Sequence, residues 1–102
     1  MSRIDTLRAM LEQDPANTFA IYGLATELKN TGDLEGAVYQ FERLLQTNGR
    51  YSAAYFHGGQ TLEKLGRIAE AKDWYARGLE ATVAANDAHA QAEMQAALDQ
   101  LS

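Results

Sequence analysis

The chain repeats its own pattern after 34 residues. Identical residues recur at this offset in the following pairs: Ala20/Ala54, Leu28/Leu62, Gly32/Gly66, Ala37/Ala71, Arg43/Arg77 and Leu45/Leu79. Conservative apolar pairs fill other places: Ile21/Tyr55, Tyr22/Phe56, Ala25/Gly59, Leu34/Ile68 and Phe41/Tyr75. The polar positions between them do not match, as selection for packing would produce. Repetition at this period marks units that cannot bury an apolar face alone, so the sequence predicts stacked units.

The pattern resembles the tetratricopeptide repeat (TPR) family, whose unit is a helix-turn-helix. The first unit supplies these residues of the family pattern: Ile21, Leu24, Ala25, Leu28, Gly32, Ala37 and Phe41. The second supplies these: Tyr55, Gly59, Leu62, Gly66, Ala71 and Tyr75. Gly49 and Val83 stand where a proline is usual, and Gly58 stands where a leucine is usual. The resemblance implies an all-α fold, a TPR solenoid of about six antiparallel helices in a right-handed superhelical stack.

We expect one domain over residues 1–102. Its predicted parts are an N-terminal half-repeat helix (3–14), repeat 1 (18–51), repeat 2 (52–85) and a C-terminal capping helix (87–101). The capping helix is indicated by an apolar stripe at helical spacing: Ala90, Met94, Ala97, Leu98 and Leu101. Met94 and Leu98 match Leu24 and Leu28 only if about two residues are inserted before them.

Local signals mark the ends of the helices. Ser2 followed by Asp5 forms a capping-box pattern. The other candidate N-caps are Asn17 or Thr18, Asp33, Ser52, and Asn86 or Asp87. Gly32 and Gly66 stand where a helix ends in a left-handed residue, a conformation that glycine adopts without strain.

Two residues of repeat 2 raise questions of packing. Gly58 inside a helix costs about 1 kcal/mol relative to alanine and forgoes the burial of a leucine, so we expect repeat 2 to be locally soft. If Tyr75 points inward, Trp74 lies about 100° from it around the helix, so we expect Trp74 to be partly exposed. The alternative is that Trp74 covers the adjacent helix.

Charge and composition exclude several classes of partner. A formal net charge of −5 and a pI near 4.9 disfavour nucleic acid, which is bound through Lys and Arg, and anionic membranes. There is no cysteine, and the N-terminus lacks the apolar core of a signal peptide. We therefore predict a cytoplasmic protein.

No motif indicates catalysis. His57 and His89 have no metal-ligating residues at characteristic spacing beside them, and His57 is interpreted as a surface or groove residue. The serines stand at predicted helix ends or at the terminus, and neither a nucleophile elbow nor a Gly-rich phosphate loop occurs. We expect no enzyme activity, no cofactor and no metal.

The resemblance implies that the first helix of each unit lines a concave, partner-binding face. The predicted protein-binding residues are Phe19, Tyr22, Thr26, Lys29, Asn30, Phe56, Gln60, Glu63, Lys64 and Met94. Some family members grip a chaperone's C-terminal carboxylate with a Lys and an Asn, whose places here hold Tyr22 and Thr26, so that clamp is absent. The expected ligand is an apolar peptide or an amphipathic helix. The alternative is that Tyr22 and Phe56 only pack between helices.

These observations predict a non-enzymatic protein–protein interaction module. The alternative is a self-associating structural or assembly protein, a homodimer through its terminal helices. It is favoured because two whole units fall below the roughly three that usually stabilise such an array, and because Met94, Leu98 and Leu101 form an apolar stripe. A segment of a larger enzyme or regulator is a third possibility.

Overall fold

The computed structural model describes residues 2–101. They form six α-helices, as predicted: α1 (Arg3–Gln13), α2 (Thr18–Thr31), α3 (Leu34–Thr47), α4 (Ser52–Lys64), α5 (Ile68–Ala84) and α6 (Ala88–Gln100). No β-strand occurs within the described residues. Each helix packs on the next along the chain, and α2 also touches α4. The all-α helical repeat is confirmed.

Four of the helices have a polar N-cap residue whose side chain accepts a hydrogen bond from the first turn. Ser2 and Asp5 form the reciprocal capping box, because the Ser2 hydroxyl accepts from the Asp5 N–H and the Asp5 carboxylate accepts from the Ser2 N–H. Asn17, Asp33 and Asp87 each accept from the backbone N–H three residues on. These candidate caps are confirmed, and each satisfies a backbone donor that the helix leaves free.

The prediction that Ser52 caps α4 was wrong. Tyr51 is the N-cap, it makes no side-chain capping bond, and Ser52 is the first helical residue. Two contacts hold Tyr51 in this place. Its N–H donates to the Asn48 carbonyl over 3.2 Å, and its ring lies 5.5 Å from the ring of Tyr22. The chain therefore enters α4 one residue earlier than the serine indicates.

Three helices are each followed closely by a residue in the left-handed conformation, which lies in the turn to the next helix. Gly32 (φ 93°) and Gly66 (φ 77°) adopt this conformation as predicted, and Asn86 (φ 56°) does so after α5. Asn86 therefore precedes Asp87, the N-cap of α6, and is not itself an N-cap. Asparagine tolerates the left-handed conformation better than most residues. Helix α6 begins 36 residues after α4, two more than the repeat period, which confirms the predicted insertion.

The core lies between the helix layers and is centred on two aromatic rings. Phe41 and Tyr75 are completely buried. Gly59 lies directly under Tyr75, because a Cβ on Gly59 would approach the ring to 2.5 Å. The small residue predicted here therefore permits the close approach of α4 and α5. None of the helices within the described residues has the length and apolar character to cross a bilayer.

Trp74 is buried, so the expectation of a partly exposed indole was wrong, and the alternative that it covers the adjacent helix is confirmed. It is only 7% exposed. The indole occupies the space beside Gly58, where a Cβ would approach Trp74 Cζ3 to 2.1 Å. Gly58 therefore leaves no empty place in the core, because the ring from α5 fills the volume that a leucine on α4 would otherwise take.

Candidate binding surface

Helices α2, α4 and α6 alternate with α3 and α5 along the chain and share one side of the stack. Helices α2 and α4 meet directly, and the Tyr22 ring lies 6.1 Å from the ring of His57. A groove between α4 and α6 continues this surface. We call it the α2–α4–α6 face.

Aromatic rings dominate one half of the α2–α4–α6 face. Tyr22 contacts Tyr51 on one side and the core ring of Phe41, 6.2 Å away, on the other. Phe56 lies 5.5 Å from His57 and 6.2 Å from the core ring of Tyr75. Tyr22 and Phe56 are both half-buried. Each ring therefore packs between helices and also presents an edge to the outside.

A cavity of about 200 Å³ opens beside the rings of Phe56 and His57. The residues that line it are Ser52, Ala53, Phe56, His57, Ala90, Glu93 and Met94. Most of its wall is apolar, and the volume has room for one large apolar side chain. Met94 is only 2% exposed, because its Sδ and Cε pack over Gly78 of α5, so it supplies the floor of this cavity and not an open surface.

The other half of the α2–α4–α6 face is polar. Lys29 on α2 donates through Nζ to Gln60 Oε1 on α4 over 3.1 Å. A more open cavity of about 360 Å³ is lined by Lys29, Gln60, Glu63, Lys64 and Gln100. The Glu63 carboxylate accepts a hydrogen bond from the hydroxyl of the buried Tyr75.

Burial shifts the pKa values of three titratable side chains on this surface. It lowers the pKa of Lys29, and the neighbouring Lys64 lowers that pKa further. Burial also lowers the pKa of His57, with a smaller contribution from Lys29, which favours the neutral imidazole. The Tyr22 hydroxyl has a raised pKa for the same reason, burial first and then Tyr51.

The predicted binding residues divide into two groups. Phe56 and Met94 meet at the apolar cavity, and Lys29, Gln60, Glu63 and Lys64 meet at the polar one. Phe19 stands apart at the start of α2 with 67% of its surface exposed. The Thr26 hydroxyl donates to the Tyr22 carbonyl of its own helix, and Asn30 is exposed.

The predicted set of binding residues omits His57 and Glu93, which line the apolar cavity. His57 lies in the groove, one of the two places predicted for it, but the repeat alignment gives it no side-chain counterpart because it pairs His57 with Gly23. Among residues 2–101, no group of three or more His, Cys, Asp or Glu side chains is arranged to hold a metal ion.

Comparison with known proteins identifies the fold. No family model matches the chain. A tetratricopeptide repeat domain protein of Salinibacter ruber, solved by NMR, is 31% identical, with a TM-score of 0.82 over 87% of this chain and 90% of that one. The chain belongs to the TPR family. The resemblance found in the sequence is thereby confirmed.

Further relatives agree with this TPR assignment. A TPR repeat-containing protein of Pseudomonas aeruginosa is 28% identical over 91 residues, covering 89% of this chain and 87% of that protein. The type III secretion translocator chaperone SycD of Yersinia enterocolitica shares the fold at 17% identity, with a TM-score of 0.88 over 96% of this chain and 68% of that one. Membership of the TPR family supports a protein-interaction module as the general role.

Proposed function

We propose that this TPR protein is a non-enzymatic interaction module that binds a segment of another protein on the α2–α4–α6 face. The observation that carries the proposal is the apolar cavity of about 200 Å³ beside Phe56 and His57. We further propose that the domain consists of a half-repeat helix (3–14), repeat 1 (18–51), repeat 2 (52–85) and a capping helix (87–101), as the sequence predicts.

The half-buried rings are suitable anchors for a partner. Tyr22 and Phe56 are held by the core rings Phe41 and Tyr75, so little side-chain freedom is lost when a ligand covers their outer edges. Aromatic side chains in such settings carry much of the binding energy at protein interfaces. A cavity for one side chain suits an extended peptide, and an amphipathic helix is the other ligand that the apolar rings favour.

The test is selection of binding peptides from a random 12-residue phage library, with the library fused so that it has no free C-terminus. Selected peptides are then titrated against the Tyr22→Ala/Phe56→Ala double variant. We expect the affinity to fall at least about thirtyfold, the size of one strong anchor. Tyr39→Ala is the matched control, because Tyr39 on α3 is a 66% exposed aromatic away from this face.

Circular dichroism establishes whether the double variant is folded. Loss of binding in a folded double variant, with full binding by Tyr39→Ala, supports the proposal. Undiminished binding by the folded double variant contradicts it. The single variants Tyr22→Ala and Phe56→Ala replace the double variant if it does not fold.

Self-association is the alternative, and the exposure of Phe19 and Val83 favours it. One SycD structure is described as an alternative dimer. In this chain the apolar stripe of α6 points mostly inward, since Met94 is buried and Leu98 and Leu101 pack against the core. Light scattering behind size exclusion, over a hundredfold range of concentration, separates the two functions. A constant mass near 11.2 kDa supports partner binding, and a mass near twice that value, falling on dilution, supports the homodimer.

A further inference from the structure

Lysines are concentrated on the α2–α4–α6 face of an otherwise acidic protein. The chain has three lysines, and two of them, Lys29 and Lys64, line the polar cavity of this face. Neither forms an ion pair among residues 2–101, whereas Arg67 at the start of α5 and Arg77 within α5 are paired with carboxylates. Within the described part of the chain, the polar cavity therefore has two lysines to one carboxylate, that of Glu63, and neither lysine is held in an ion pair.

The surroundings of Lys29 favour an incoming anion. Its ammonium group has three donors, and Gln60 accepts only one of them. Lys64 lines the same cavity, and burial first and then the charge of Lys64 lower the pKa of Lys29. The carboxylate of Glu63, which lines the same cavity, accepts a hydrogen bond from the buried Tyr75 hydroxyl. A carboxylate bound between the two lysines would relieve the repulsion between them and use the free donors.

We propose that the partner segment is an extended peptide with an acidic side chain bound by Lys29 and Lys64 and an apolar side chain seated in the cavity beside Phe56. This inference rests on the proposed function and adds the chemistry of the ligand. The acid is an Asp or Glu side chain. It differs from the C-terminal carboxylate grip of other family members, whose Lys and Asn places hold Tyr22 and Thr26 here.

The fold sets the distance between the two contacts. Phe56, Gln60 and Lys64 succeed each other at single turns of α4, so the first and last are about 12 Å apart along the axis. An extended chain advances about 3.3 Å per residue, so the acidic and apolar residues of the partner stand about four positions apart.

Charge also fixes which end of the partner lies where. Glu93 lines the apolar cavity and repels a carboxylate there, whereas the lysines attract one at the other end. The acidic residue of the peptide therefore lies toward the C-terminal ends of α2 and α4.

The experiment repeats the 12-residue phage selection on the wild type, on Lys29→Gln/Lys64→Gln and on the control Lys72→Gln. Lys72 is an exposed lysine on α5, outside the face. We expect wild-type peptides to be enriched in an acid about four positions from a large apolar residue. The double variant should lose the acid enrichment and keep the apolar one, and Lys72→Gln should behave as wild type.

Affinity measurements sharpen the result. A fluorescein-labelled selected peptide should bind Lys29→Gln/Lys64→Gln about fivefold to tenfold more weakly than wild type at low salt, and less so at high salt. Replacing the peptide's acid by its amide should cause the same loss, with no further loss when both changes are combined.

The outcomes separate this inference from the proposed function. Peptides that need Tyr22 and Phe56 but show no acid enrichment overturn the inference and leave the proposed function standing. An acid enrichment that survives in Lys29→Gln/Lys64→Gln also overturns the inference. Selected peptides that bind Tyr22→Ala/Phe56→Ala as tightly as wild type overturn both.

Discussion

Repeats 1 and 2 fill the same place between their two helices in opposite ways: the large apolar side chain comes from the first helix in repeat 1 and from the second helix in repeat 2. In repeat 1 the first helix supplies the large residue, Leu24, and the second helix supplies Gln40, which is 7% exposed. At the same places 34 residues later, repeat 2 has Gly58 and Trp74. The glycine opens a slot in α4, and the indole from α5 enters it. A departure from the family pattern at one position is thus compensated by a residue on the facing helix.

A second exchange follows the same rule at the next interface. Leu44 of repeat 1 corresponds to Gly78 of repeat 2. A Cβ on Gly78 would approach both Met94 Cε and Tyr55 Cβ to 2.7 Å, so side chains from neighbouring helices occupy this place too. Meanwhile Tyr22 and Phe56, at equivalent places, keep their aromatic character on the α2–α4–α6 face. The two repeats thus exchange side-chain volume at two core positions and keep an aromatic ring at one place of the surface where we propose that the partner binds.

The largest expected effect comes from emptying the indole slot. Trp74→Ala should lower the free energy of unfolding by about 4 kcal/mol, because it leaves a cavity beside Gly58 that α4 cannot fill. Gln40→Ala at the same place of repeat 1 should cost only about 1 kcal/mol, since it removes few apolar contacts. Urea denaturation followed by circular dichroism measures both. Equal losses at the two positions would contradict the comparison.

Placing the family's usual leucine at position 58 tests whether positions 58 and 74 fill one shared space. Gly58→Leu alone should cost about 3 kcal/mol, because its Cβ would collide with the Trp74 ring. Combined with Trp74→Gln, it recreates the Leu24 and Gln40 pair of repeat 1. The double variant should be at least about 2 kcal/mol more stable than the sum of the two single changes. Additive effects in the same urea experiment would show that the two positions do not share one space.

The smallest expected effect concerns the core rings, of which Phe41 in repeat 1 has no hydroxyl and Tyr75 in repeat 2 has one. Burial, together with the hydrogen bond to Glu63, raises the pKa of Tyr75 well above its ordinary value. Because the unfolded chain loses this proton first, the contribution is complete below about pH 10 and is lost as the pH rises further.

The loss should reach about 1 kcal/mol of unfolding free energy by pH 11. Tyr75→Phe should make the decline between pH 8 and pH 11 shallower, and Tyr22, whose pKa is also raised, should account for part of what is left. Urea denaturation at four pH values measures the slope. An unchanged slope in Tyr75→Phe would show that the hydroxyl does not couple stability to pH.

Local features were predictable from the sequence, and contacts between helices were only partly so. The repeat period, the capping box at Ser2 and the left-handed Gly32 and Gly66 depend on neighbours in the chain, and all are confirmed. The burial of Trp74 depends on Gly58, which lies on a different helix. The pairing of the two could have been seen by comparing both positions with repeat 1 at once.

The binding surface shows the same limit. The family resemblance indicates which helices line it, but the depth of Met94 follows from Gly78 on α5, and the ring that lies 6.1 Å from His57, Tyr22, belongs to α2. Neither contact can be inferred from the residues adjacent to Met94 or His57 in the sequence. The chemical character of the surface, aromatic at one end and basic at the other, emerges only when the three helices are side by side.

The most direct test of binding on the α2–α4–α6 face is an NMR titration of ¹⁵N-labelled protein with one peptide from the phage selection. We expect the largest amide shifts around Tyr22, Phe56, His57 and Glu93, spanning both repeats and α6, with little change along the outer side of α3 and α5. Shifts concentrated around Tyr39 and Lys72, with the α2–α4–α6 face undisturbed, would contradict the account.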